Sequence, residues 1–239
     1  MNYVERPLTP RLAGRVAAIW TLSCQGMAQQ TLIHEATPDG CVELILRKRG
    51  TSDWNGPQPR LFATGLSSRP ALLRFSGDAV FVGIRFRPWA WNRIAPTHCS
   101  SFADRWLAVN ERSELGALFR NEAEMEPALM RLLGDVPLHP IAAGLLIASN
   151  VAEVGEMAGI GLRSVQRWSA REIGMEPRRY IRLLRFDRAL RDIQTDKVAL
   201  ADHAAANGFS DQAHMARDFR NLAGHATRTV RARAQGPFI

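Results

Sequence analysis

The sequence predicts an α+β chain of two domains: an N-terminal β-rich sandwich or barrel-like domain, then a C-terminal all-α domain of about seven helices. Three observations predict this. Residues 1 to about 105 carry short alternating apolar runs bounded by turn residues, together with most of the Pro and Trp. From His139 onward the apolar residues fall at helical spacing, punctuated by Gly, Asn or Pro. That helical half also repeats itself. The expected division is 1–110, 111–136 and 137–239.

In the first half, "CVELILR" (41–47) alternates in part and lies between "TPDG" and "KRGTSDWNGPQP", as a strand between turns does. "PALLRFSG" and "AVFVGIRFRP" read as two more strands, with Ser76-Gly77-Asp78 as a hairpin turn between them. "PWAWNRIA" reads as a short helix beginning at Pro88, a residue suited to a first helical turn. Residues 111–133 are amphipathic, with Leu115, Leu118, Phe119, Leu129, Leu132 and Leu133 on one face; Pro127 divides the segment or starts a second helix. Such a segment either packs on its own domain or dimerises. Seven helical segments follow: "HPIAAGLLIASN", "VAEVGEMAGI", "LRSVQRWSAREIG", "EPRRYIRLLRFDRALRDIQ", "LADHAAANG", "SDQAHMARDFRNLAG" and a last short one.

Composition bounds the function. The 239 residues are 46% hydrophobic and 23% charged, ordinary for a globular protein, with no apolar run near the ~20 residues that span a bilayer. The opening "MNYVERPLTP" lacks a signal-peptide core, so the expectation is a soluble cytoplasmic protein without a membrane partner. Three cysteines at wide spacing argue against a disulfide framework or a structural zinc site, and no cofactor is expected. The formal net charge is +8, and of 31 Lys and Arg only Lys48 and Lys197 are lysines. Arg's planar fork suits phosphate and guanine, and a basic balance points to nucleic acid.

The repeat sharpens this. Arg167 recurs as Arg217, Gly174 as Gly224 and Arg178 as Arg228 at an offset of 50, while Gly159-Ile160 recurs as Gly208-Phe209 at 49. Each copy has a helix, a Gly-containing corner and a second helix that closes at a Gly, the outline of a helix-turn-helix. Val165, Trp168 and Ile173 in the first copy, and Met215, Phe219 and Leu222 in the second, fall on the inward face. That leaves Arg163, Ser164, Gln166 and Arg167, and in the second copy Gln212, His214 and Arg217, near the start of an outward helix. Gln pairs bidentately with adenine and Arg with guanine.

Carried by "GFSDQAHMARDFRNLAG" (208–224) and "GMEPRRYIRLLRFDRAL" (174–190), residues 139–233 resemble the DNA-binding domain of AraC/XylS-type transcriptional regulators. The resemblance implies two helix-turn-helix units joined by a long helix around Pro177 to Ile193. Their second helices would enter successive major grooves about one turn, roughly 34 Å, apart. It implies base reading by Arg163, Gln166 and Arg167, and by Gln212, His214 and Arg217, with Ala213 and Ala216 against thymine methyls. Ser164 and the amides near Ser210 and Asp211 would hold phosphates, Asp211 mainly capping. Promoter double-stranded DNA is the implied partner, with RNA polymerase and a second copy of the chain as further candidates. Gly161 stands where the first unit usually has a Ser cap, Ser169 where it has a core aromatic, and Thr227 and Val230 where the second unit has Pro and Tyr.

"TPDGCVELIL" with "VGIRFRPWAW" resembles N-terminal domains attached to one subgroup of these regulators. Such domains sense a small molecule or dimerise. Trp20, Trp54, Trp89 and Trp91 are either core or the lining of an effector pocket. His34, Cys41, His98 and Cys99 are the candidates for a metal or thiol sensor, although their spacing does not demand one. A β-domain enzyme lacks its motifs: there is no H-x-H, HExxH, phosphate loop or nucleophile elbow. The remaining alternative is a non-specific DNA binder or a protein-interaction adaptor with a partly degenerate DNA domain.

Overall fold

The computed structural model of the chain describes residues 1–195, 198–234 and 236–238. Nine strands come first: β1 (Asn2–Arg6), β2 (Val16–Ser23), β3 (Thr31–Ala36), β4 (Val42–Arg49), β5 (Ser52–Asp53), β6 (Leu61–Thr64), β7 (Ala71–Ser76), β8 (Val80–Phe86) and, after helix α1 (Pro88–Ile94), β9 (Trp106–Ala108). They form a six-stranded sheet in the order β1-β2-β8-β4-β6-β9 and a three-stranded sheet in the order β3-β7-β5, antiparallel throughout.

Alternation along the strands builds three layers. Val42, Leu44 and Leu46 of β4, and Val82, Ile84 and Phe86 of β8, face the helices in one core; Ile45 and Phe81 face the three-stranded sheet in another. The larger sheet is thus buried on both faces, which accounts for the dense apolar runs that blurred its alternation in the sequence. At Gly83 the Trp20 indole lies flat across β8: a Cβ there would sit 2.2 Å from the ring, so only glycine admits it.

Ser76-Gly77-Asp78 does not close a hairpin. β7 pairs with β3 and β5, β8 with β2 and β4, so the turn carries the chain from one sheet to the other. It is held by Gly26, whose N–H donates to the Gly77 carbonyl at 2.7 Å, and by the Gly77 N–H donating to the Gln30 carbonyl at 2.7 Å. A local turn signal gives no information about which sheet receives the next strand.

Residues 111–133 form α2 (Glu114–Ala117), a 3-10 turn and α3 (Met125–Leu133), with Pro127 in the first turn of α3. Leu115, Leu118, Leu129 and Leu133 are buried in the core shared with the six-stranded sheet; Phe119 and Leu132 pack partly buried against it.

The seven C-terminal helices are α4 (Pro140–Ile147), α5 (Val151–Ala158), α6 (Leu162–Glu172), α7 (Pro177–Thr195), α8 (Leu200–Ala206), α9 (Gln212–Ala223) and α10 (Thr227–Arg233). Among the described residues no helix is long and apolar enough to cross a membrane. Ile141, Leu145, Val154, Val165, Trp168 and Tyr180 belong to the same continuous core as the six-stranded sheet. Leu183, Phe186, Leu190, Phe209, Met215, Phe219 and Val230 form a separate core. The two meet on α7, whose Tyr180 and Leu184 serve the first and whose Leu183 and Leu190 serve the second.

Candidate nucleic-acid interface

The two corners, α5 to α6 and α8 to α9, close by the same bonds. In the first, the Ile160 N–H donates to the Gly155 carbonyl at 2.9 Å with Gly159 at φ 66; in the second, the Phe209 N–H donates to the Ala204 carbonyl at 2.9 Å with Gly208 at φ 71. This is a Schellman closure, which needs the left-handed residue that glycine supplies. Gly161 caps α6 two residues after its glycine, whereas Asp211 caps α9 three residues after its own. The second turn is one residue longer, which explains why the repeat shifts from an offset of 49 to 50 across it.

The caps differ in strength. Gly161 offers no side chain to the first turn of α6. Asp211 Oδ1 accepts the His214 N–H at 2.6 Å. That bond holds the Asp211 carboxyl below its ordinary range, and Arg217 adds a smaller pull in the same direction.

On α6, Arg163, Gln166 and Arg167 are exposed, Ser164 is half-buried, and Arg167 Nη2 donates to Ser164 Oγ at 3.4 Å. On α9, Gln212, Ala213 and Arg217 are exposed and Ala216 half-buried, with Ser210 and Asp211 exposed just before it. His214 is more committed than its spacing suggests. Its Nδ1 accepts the Ser210 N–H at 3.3 Å, and its ring stands edge-on to Phe209 with centroids 5.3 Å apart. It braces the corner as well as facing outward. Val165, Trp168, Ile173, Met215, Phe219 and Leu222 are all buried.

The joining helix α7 does more than space the two units. Arg178, Arg179, Arg182 and Arg185 line an open cleft of about 710 Å³ with Asn150 and His214, between the two units. Arg182 Nε donates to Asp218 Oδ1 at 2.9 Å, and Arg185 Nη1 donates to the Gly208 carbonyl at 3.3 Å while its guanidinium lies 4.9 Å over the Phe209 ring. Arg178 and Arg179 are exposed. The i, i+1, i+4, i+7 spacing of these arginines was the available signal.

In the β-rich half, Trp20 and Trp54 line a cavity of about 80 Å³ between the two sheets. Trp91 is buried in the core, and Trp89 stands 5.8 Å from Trp168 and 5.9 Å from Tyr180, at the seam with the helical half. Of His34, Cys41, His98 and Cys99, the last two are adjacent, and among the described residues there is no group of three or more His, Cys, Asp or Glu able to hold a metal ion. His34 stacks on Phe75 at 5.3 Å, and His98 is bonded to Asn92 at 2.9 Å. Cys41 and Cys99 are buried; burial pushes the Cys41 thiol up, and the Cys99 thiol up to about 11. Both are therefore protonated and slow to react near neutrality.

Residues 154–233 match a family model described as Helix-turn-helix domain, and residues 6–108 match one described as Domain of unknown function (DUF6597). Comparison with curated proteins finds no significant match. Among solved structures, ToxT from Vibrio cholerae is similar over 97% of this chain and 98% of its own, at 9% identity and a TM-score of 0.50. A second ToxT structure, bound to (E)-4-(8-methylnaphthalen-1-yl)but-3-enoic acid, gives 8% identity over 97% and 99% at a TM-score of 0.50. An AraC-type regulator from Chromobacterium violaceum shares 23% identity over 39% of this chain and 87% of its own, with a TM-score of 0.35. The ToxT likeness, spanning nearly all of both chains, concerns the fold alone: a β-rich part followed by a helical one. The repeated corners and the domain matched across them agree: residues 154–233 form a helix-turn-helix domain of the AraC type.

Proposed function

We propose that the chain reads two successive major grooves of promoter DNA with α6 and α9, under the control of a small molecule held between the two sheets. The observation that carries the groove reading is the matched presentation on the two helices. Arg163, Gln166 and Arg167 on α6, and Gln212 and Arg217 on α9, lie exposed on the first turns after equivalent corners. His214 joins them through the ring edge not engaged by Ser210. Arg178 and Arg179, in the cleft between the units, hold backbone phosphates, as do Ser164 and the amides after Ser210 and Asp211.

The test is a selection of genomic fragments by the purified full-length chain at near-physiological salt. The expected result is a motif with two half-sites about ten base pairs apart. Arg217→Ala then costs roughly 1–3 kcal/mol on that motif and much less on random DNA, while Arg178→Ala weakens both alike. No enrichment, with binding that follows salt alone, would overturn the reading in favour of a non-specific binder or an adaptor.

The effector site rests on the aromatic cavity between the sheets. The acid bound to ToxT carries no ligand across to this chain.

A further inference from the structure

The cavity between the sheets is already partly filled, and by the other half of the chain. After α10 the backbone returns to the β-rich domain. The Thr37 N–H and Oγ1 donate to the Pro237 carbonyl at 2.9 and 3.1 Å, and Phe238 pairs with Ala36 of β3 in a single antiparallel bridge. The Phe238 side chain is 6% exposed and stands edge-on to Tyr3 with centroids 5.7 Å apart. Gly236, just before it, exchanges two hydrogen bonds with the Gln194 amide on α7, at 2.9 and 3.0 Å. The residue that fills the cavity is therefore tied to the helix joining the two DNA-reading units.

The lining specifies what else fits. Among the described residues that line it, the charged side chains are two carboxylates, Asp39 and Glu43, and there is no Lys, Arg or His. Aromatic faces surround them: Trp20, Trp54, Phe62 and Phe75. Arg85 lies behind the wall, 1% exposed, donating to Glu43 Oε1 at 2.6 Å and Glu5 at 2.7 Å and lying 2.9 Å from Asp39. Trp20 Nε1 takes the same Glu43 oxygen at 3.1 Å, which leaves Glu43 Oε2 without a donor among the described residues. A carboxylate ligand would meet two carboxylates and no cation. An ammonium group would meet an open carboxylate oxygen and aromatic faces, the two partners that stabilise a cation away from water. Burial also pushes the Glu43 carboxyl up despite Arg85, as expected of an acid short of positive charge.

We propose that this cavity binds a small organic cation with an apolar body, and that the cation enters by displacing Phe238. This rests on the effector reading above and supplies its ligand class and its route. Displacement releases residues 236–238 from β3 and removes one of the ties between the second unit and the β-rich domain. Two polar ties there remain, His225 to Glu35 at 2.8 Å and Arg191 of α7 to Glu5 at 2.7 Å.

The test uses the full-length protein without DNA and two probes of like shape, 2-phenylethylammonium and 3-phenylpropionate. The first carries the same benzyl group as Phe238. Calorimetric titration is expected to show that the wild type binds the ammonium probe and not the carboxylate. Phe238→Ala should bind the ammonium at least tenfold tighter, and Glu43→Gln at least tenfold weaker. Hydrogen exchange at the Thr37 amide in the wild type should accelerate when the ammonium saturates, a readout that does not depend on either variant folding. Equal or tighter binding of phenylpropionate would overturn the ligand class. Unchanged affinity in a folded Phe238→Ala, or an unchanged Thr37 amide at saturation, would overturn the displacement. Because DNA is absent from every arm, failure here leaves the groove reading to be judged by the fragment selection, and the reverse holds equally.

Discussion

Behind α6, Trp168 stacks on His139 at 5.1 Å and lies against Trp89 of the β-rich half. At the equivalent place behind α9 stands Asp218, buried and ion-paired with Arg182 and Arg185 of α7. Tyr180 donates its hydroxyl proton to the Gly40 carbonyl at 3.0 Å, across the seam, while its counterpart Val230 stays inside the second unit's own core. The Glu172 carbonyl accepts from Asn92 Nδ2 at 2.7 Å. The first unit thus shares one apolar core with the β-rich domain, and the second keeps its own. Packed interiors move as blocks, because their side chains leave no slack. The first unit is expected to travel with the β-rich domain and the second to shift against both.

The largest effect that separates the units is Phe219→Ala. Removing a fully buried ring costs about 3–5 kcal/mol, and it should unfold the second unit while the first stays docked. Hydrogen exchange read helix by helix checks this: loss of protection in α4 to α6 as well would show that the two cores are one cooperative block. Tyr180→Phe should cost about 1 kcal/mol, the net worth of a buried hydrogen bond. Its further effect is a looser seam, seen as faster exchange of α6 with α9 unchanged. Ser169→Ala is expected to stabilise by less than about 1 kcal/mol, since the Ser169 hydroxyl is buried without a partner among the described residues. A clear loss in the melting temperature would mean that the hydroxyl is satisfied in solution. Smallest is Gly161→Ser, which adds the missing cap in open space and should gain a few tenths of a kcal/mol. If its melting temperature does not rise, the start of α6 is stabilised by something other than its cap.

What the sequence made legible was local. The corners at Gly159 and Gly208, the cap at Asp211, the helix opening at Pro88 and the inward face of each helix all depend on residues within one or two turns of each other. The exposed arginines of α6 and α9 followed from that same spacing. What stayed hidden depends on partners far apart in the chain. Nothing near Ser76 says that β8 joins a different sheet from β7. Arg85 looks like a solvated strand residue until Glu5, Asp39 and Glu43 converge on it. Arg191 of α7 gives no hint that it meets Glu5 at 2.7 Å, 186 positions away. Trp20 and Trp54 separate from Trp89 and Trp91 only once the sheets are stacked. His214 was read as outward by spacing alone, because its bond to Ser210 depends on the corner's shape.

The one residue by which the second corner exceeds the first sets a rule for retargeting. A single inserted residue turns a helix by about 100° about its axis and so aims a different face outward. Grafting α6 onto the second corner, or α9 onto the first, keeps the reading face aligned only when residues are counted from the cap and not from the corner glycine. Gly161 and Asp211, rather than Gly159 and Gly208, are therefore the equivalent starting points of the two specificity cassettes, although neither residue has to touch a base.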